Sequence, residues 1–63
     1  MNISDKIKML RAVKGLSLEE LAEQVGITRQ ALHKYEKGIA LPTLPVAKEL
    51  AKVFGISIDE LVA

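Results

Sequence analysis

The chain has 63 residues, with no cysteine, one histidine, one tyrosine and one phenylalanine. A single domain of this size holds its core with aliphatic side chains alone, and it has neither a disulfide framework nor a Cys-based zinc site. Nine Lys and Arg against eight Asp and Glu leave a formal charge of +1, so net charge points to no partner and only its distribution can.

At 49% hydrophobic and 27% charged residues, the composition is that of a globular chain rather than a disordered one. No apolar run is long enough for a membrane span or a signal-peptide core. The expectation is a cytoplasmic protein with no membrane partner, since the absence of cysteine fits a reducing compartment.

Gly, Pro and small hydroxyl residues divide the chain into five helical segments. Ile3, Ile7, Leu10 and Val13 follow the i, i+4, i+7 spacing of an amphipathic helix that Gly15 ends. Asn2 is placed to cap it, with Ser4 as a competitor. Ser17-Leu18-Glu19-Glu20 is a capping box opening a second, short helix with Leu21, Ala22 and Val25, stopped at Gly26. Thr28 caps a third, with Ala31, Leu32 and Tyr35 on one side and Gly38 at its end. Pro42-Thr43 precedes a fourth, in which Pro45 is tolerated in the first turn. This helix is expected to bury Val46, Ala47, Leu50, Ala51 and Phe54 before Gly55. Ser57-Ile58-Asp59-Glu60 repeats the capping box and starts a last helix with Leu61 and Val62. The fold class is therefore all-α, one domain over residues 1–63, which a longer protein can carry as a module.

Leu18 to Lys37 is the informative stretch. Ala22 faces the next helix where a larger side chain would hold the two apart. Gly26 sits where the chain must reverse with φ > 0. Leu21, Val25, Ile27, Leu32 and Tyr35 fill the wedge between the helices, and this pattern describes a helix-turn-helix. A generic helical bundle accounts for each residue separately but not for so tight a turn between two short helices. At about 100° per residue, Arg29, Gln30, His33, Lys34 and Lys37 share one polar sector of the third helix. That sector holds cations and no acid.

The chain resembles the phage repressor/Cro-like (Xre-type, lambda repressor-like) DNA-binding domains. The resemblance runs from about Ile3 to Val62. It is carried by Ile7…Leu10-Arg11…Gly15-Leu16-Ser17, Leu21-Ala22…Val25-Gly26-Ile27-Thr28 and Leu32…Tyr35-Glu36…Gly38. Pro42-Thr43 and Leu50-Ala51…Phe54-Gly55-Ile56…Asp59-Glu60-Leu61 complete the set. It implies a compact five-helix bundle whose second and third helices form the helix-turn-helix, with helix 28–37 in the major groove.

Carried over by position, the base-reading residues are Arg29, Gln30 and Lys34, with His33 beside them. Arg can fork onto guanine and Gln can pair with adenine. Ser17, Thr28 and Lys37 are placed for phosphates. The resemblance also pairs Arg11 with Glu36 as an ion pair joining the first and third helices. Two departures stand out. Leu18 occupies a position where many relatives carry a phosphate-binding Gln. The Ile39-Ala40-Leu41 connection is uncharged where relatives are often basic, so phosphate anchoring is expected to be weak.

Sequence-specific binding of double-stranded DNA as a transcriptional regulator, read as a repressor, is the leading expectation. It implies a homodimer on a palindromic operator, because one small module offers a limited interface. Two alternatives compete with it. One is a protein–protein module of an antitoxin or developmental regulator, which the apolar 39–41 segment favours. The other is a DNA-binding module fused to a catalytic domain such as a metal-dependent peptidase. No catalytic set fits a cleft here, so the chain itself is not expected to be an enzyme or to hold a cofactor. His33 and Glu36 are too few to complete a metal site.

Overall fold

A computed structural model describes residues 2–63, folded as α1 (Ile3–Lys14), α2 (Leu18–Val25), α3 (Arg29–Lys37), α4 (Leu44–Phe54) and α5 (Ile58–Val62). Among the described residues there is no strand. The all-α expectation stands. Each helix begins where a small polar side chain accepts its third backbone N–H, from Asn2, Ser17, Thr28, Thr43 and Ser57 in turn. This satisfies one of the donors that a helix start leaves open.

Both capping boxes close. The Ser17 N–H donates to Glu20 Oε1 at 2.8 Å and the Ser57 N–H to Glu60 Oε1 at 3.0 Å. These backbone donors hold both carboxyls below the usual carboxylate range. Asn2 takes the first cap, its Oδ1 accepting the Asp5 N–H at 2.9 Å. Ser4 does something else: it is buried inside α1, with its Oγ turned toward the end of α3.

Every helix contributes one fully buried aliphatic side chain, namely Ile7, Leu21, Leu32, Leu50 and Leu61. Burying each is worth about 1.5–3 kcal/mol. Ala22, Val25, Ala47, Ala51 and Phe54 complete the core, in which α1 packs on α3, α4 and α5 while α2 packs on α3 and α4. Lys6 fastens the ends of the chain. Its Nζ donates to the Glu60 carbonyl at 2.6 Å and to the Ala63 carbonyl at 3.4 Å, placing a cation at the C-terminal end of α5 where it offsets the helix dipole.

Two core assignments need correction. Val13 is 76% exposed, because the 3.6-residue period carries it roughly 120° around α1 from Ile7. Val46 is half-buried rather than buried.

Gly38 has two reasons to be glycine. Its φ is +75°, and a Cβ there would stand 3.3 Å from Ser4 Oγ. Only glycine adopts that φ cheaply and lets the end of α3 approach α1 so closely.

Candidate nucleic-acid interface

α2 and α3 meet across the turn Gly26-Ile27-Thr28. Gly26 has φ +75°, and an added Cβ would meet nothing within 4 Å, so the requirement here is purely conformational. The Ile27 N–H reaches back to the Ala22 carbonyl at 3.0 Å, and Ile27 packs on the core. This is the hydrogen bond and apolar contact that end a helix tightly. Ala22 is 3% exposed, a small residue where α3 approaches α2.

The inner side of α3 carries the fully buried Leu32 and the half-buried Ala31, Tyr35 and Glu36. Arg29, Gln30, His33, Lys34 and Lys37 are all exposed. The residues predicted to face outward therefore share one solvent-facing surface. Thr28 Oγ1 accepts the Ala31 N–H at 3.1 Å and Ser17 Oγ accepts the Glu20 N–H at 3.0 Å. Both hydroxyl groups hold helix starts and keep an O–H free to donate outward.

Arg11 and Glu36 are joined in a two-pronged pair. Arg11 Nε donates to Glu36 Oε2 at 2.7 Å and Nη2 to Oε1 at 3.1 Å. Arg11 Nη1 also donates to the Leu16 carbonyl at 2.8 Å, so one guanidinium ties α1 to α3 and to the α1–α2 turn. The side chains are 20% and 6% exposed. The bond to Glu36 raises the Arg11 pKa further above its already high value, against the opposing effect of burial. The pair works as scaffold, fixing α3 against α1.

One contact escaped the sequence reading. Glu19, on α2, comes within 3.8 Å of Arg29 Nε, so the cationic surface of α3 has an acid at its edge. Leu18 packs its half-buried, apolar side chain against the core and offers no polar group to a phosphate. Among the described residues no cluster of three metal-ligating side chains exists, and no helix is long and apolar enough to cross a membrane.

The sequence profile of the Helix-turn-helix family matches residues 7–61, nearly the whole chain. The chain belongs to the phage repressor/Cro-like helix-turn-helix family. The HTH-type transcriptional activator BcrR of Enterococcus faecalis is 38% identical over 63 residues, all of this chain and 31% of that protein. The Cryptic phage CTXphi transcriptional repressor RstR of Vibrio cholerae is 40% identical over 95% of this chain and 54% of its own length. The chain thus spans a third to a half of these helix-turn-helix relatives. Among solved structures, the biofilm master regulator SinR in complex with DNA superimposes with a TM-score of 0.86. It is 32% identical, over 94% of this chain and 95% of that one.

Proposed function

We propose that this helix-turn-helix domain binds double-stranded DNA sequence-specifically, as a transcriptional repressor acting without catalysis, with α3 in the major groove. The observation that carries the reading is the two-sidedness of α3. One side is locked to the core by Leu32 and the Arg11–Glu36 pair, and the other offers Arg29, Gln30, His33, Lys34 and Lys37 to solvent. A helix about 10–12 Å across matches a groove about 12 Å wide. The solved complex of SinR with DNA supports the same use of the fold.

A symmetric dimer is part of the proposal, with a second copy as the occupant of the apolar surface formed by the start of α1, the segment that follows α3, and α5. Gly38–Ala47 is the longest uncharged run of the chain. Ile39, Leu41 and Leu44 within it are exposed, as is Val62 beside it. Leu41, Leu44, Ile3 and Val62 edge a hollow of about 390 Å³. In a two-fold interface, residues near the axis meet their own copies, so charges there would repel themselves and an uncharged patch would not. At roughly 60–120 Å² per fully buried side chain, five such residues on each of two copies cover about 600–1,200 Å², no more than the ~1,200 Å² at which stable complexes begin. Dimerisation is therefore expected on DNA rather than before it.

Selection of bound sequences from a random duplex library tests this reading. The expected product is a two-fold symmetric site with half-site centres about 34–36 Å apart. An enriched site without symmetry would remove the dimer. No enrichment at all would transfer the apolar surface to a protein partner.

Glu19 supplies a second check. It lies 3.8 Å from Arg29 Nε on the open surface and adds a negative charge beside the expected path of the backbone. Glu19→Gln is expected to tighten binding to random duplex about 1.5- to 5-fold, matching the ~0.2–1 kcal/mol of an exposed ion pair. Unchanged or weaker binding in a titration would show that Arg29 is not restrained by this contact.

A further inference from the structure

Beside the outward surface of α3 lies a second hollow, of about 260 Å³, walled by Lys8, Arg11, Leu18, His33, Glu36 and Lys37. Three helices meet there. Lys8 and Arg11 stand one turn apart on α1, His33 and Lys37 one turn apart on α3, and Leu18 opens α2.

The charges in this hollow do not balance. Its only acid, Glu36, has both oxygens engaged by Arg11, which leaves Lys8 and Lys37 facing the same space. Among the described residues neither Lys8, His33 nor Lys37 forms an ion pair or a side-chain hydrogen bond, whereas Lys6 on the same helix is bonded to carbonyls at the end of α5. Two like charges and an imidazole donor around an open hollow suit an anion. A phosphate group, with several acceptor oxygens, can take all three.

We propose that Lys8, His33 and Lys37 form a seat for one phosphodiester of the DNA backbone, at the edge of the groove that α3 enters. The inference rests on the DNA-binding reading above and deepens it. His33 and Lys37 belong both to the outward surface of α3 and to the wall of the hollow, so the seat adjoins the reading surface directly. A phosphate row borders any groove in which α3 lies, and α1 is the helix that reaches over this side of α3. The seat gives back the anchor that Leu18 lacks, from a helix outside the helix-turn-helix. It also moves His33 from base reading to backbone contact and makes Lys8 a DNA-binding residue.

Titrations of wild type, Lys8→Gln and Lys48→Gln on a selected operator and a scrambled duplex over a salt series test the proposal. Lys48→Gln, on α4, removes the same charge away from the seat. Lys8→Gln is expected to weaken both duplexes by the same factor, with an unchanged thermal midpoint. It should flatten the slope of log affinity against log salt relative to wild type, by less than the ~0.9 of a whole neutralised phosphate because Lys37 stays in the seat. Lys48→Gln should keep the wild-type slope. On the operator, a neutral methylphosphonate at one flanking backbone position should weaken wild type clearly more than Lys8→Gln, which keeps only Lys37 and His33 in the seat. If Lys8→Gln behaves as Lys48→Gln while wild type binds, the seat is wrong and the DNA-binding reading survives. If every methylphosphonate weakens Lys8→Gln as much as wild type, Lys8 engages no particular phosphate and the seat is equally overturned. If wild type binds neither duplex, the reading beneath the proposal fails with it.

Discussion

Glu36→Ala is expected to lower the thermal midpoint by at least about 12 °C, whereas Glu23→Ala shifts it by less than about 4 °C. Both changes remove one carboxylate from a helix, but the surroundings differ. Glu36 is 6% exposed at the side chain and grips Arg11 through both oxygens. Glu23 is exposed on α2. Truncating Glu36 leaves the Arg11 guanidinium partly buried with only the Leu16 carbonyl as a partner, and breaking a buried pair from one side costs about 3–5 kcal/mol. Exposed substitutions stay within about ±0.5 kcal/mol. In a domain this small each kcal/mol is about 4–8 °C. The loss approaches the whole stability of such a fold, about 3–5 kcal/mol, so the variant is to be compared at low temperature as well. Equal, small shifts in a calorimetric or circular-dichroism melt would show that α1 and α3 are held by the aliphatic core alone.

The second large effect falls on DNA affinity and separates reading from anchoring. Arg29 opens α3 and Lys37 ends it, and both are exposed. A guanidinium that forks onto a guanine edge contributes about 1–3 kcal/mol of discrimination. Arg29→Ala is therefore expected to cost the selected operator about 5- to 150-fold, and a scrambled duplex less, through the lost charge. Lys37→Ala should weaken both duplexes by a similar factor and flatten the salt slope by about one unit. Titrations of the two variants at two salt concentrations check the contrast. Matching profiles would mean that both residues only neutralise phosphate.

The elements were legible because their punctuation is local. A capping Ser, Thr or Asn lies within three residues of the N–H it satisfies, and the left-handed glycines that end α1 to α4 have no cheap substitute. Periodicity served well over one or two turns and failed at Val13, where the drift of a 3.6-residue period had accumulated. The surface of α3 could be read from the sequence for the same reason, since its exposed residues all belong to one short helix. Contacts between helices follow no local rule. Arg11 and Glu36 are 25 residues apart, and only the family resemblance brought them together. Glu19 beside Arg29, and Lys8 facing Lys37, depend on how α1 and α2 lie on α3. No spacing within a single helix encodes that.

Gln30 offers the most direct test that α3 reads sequence, because it is neutral and its loss releases no counterion. The measurement is the ratio of scrambled-duplex to operator dissociation constants for wild type and Gln30→Ala under one buffer condition. A paired amide contact to one base predicts that the ratio falls about 5- to 150-fold while the scrambled-duplex constant itself hardly moves. If instead both constants rise by the same factor and the ratio stays at its wild-type value, α3 does not read sequence through Gln30.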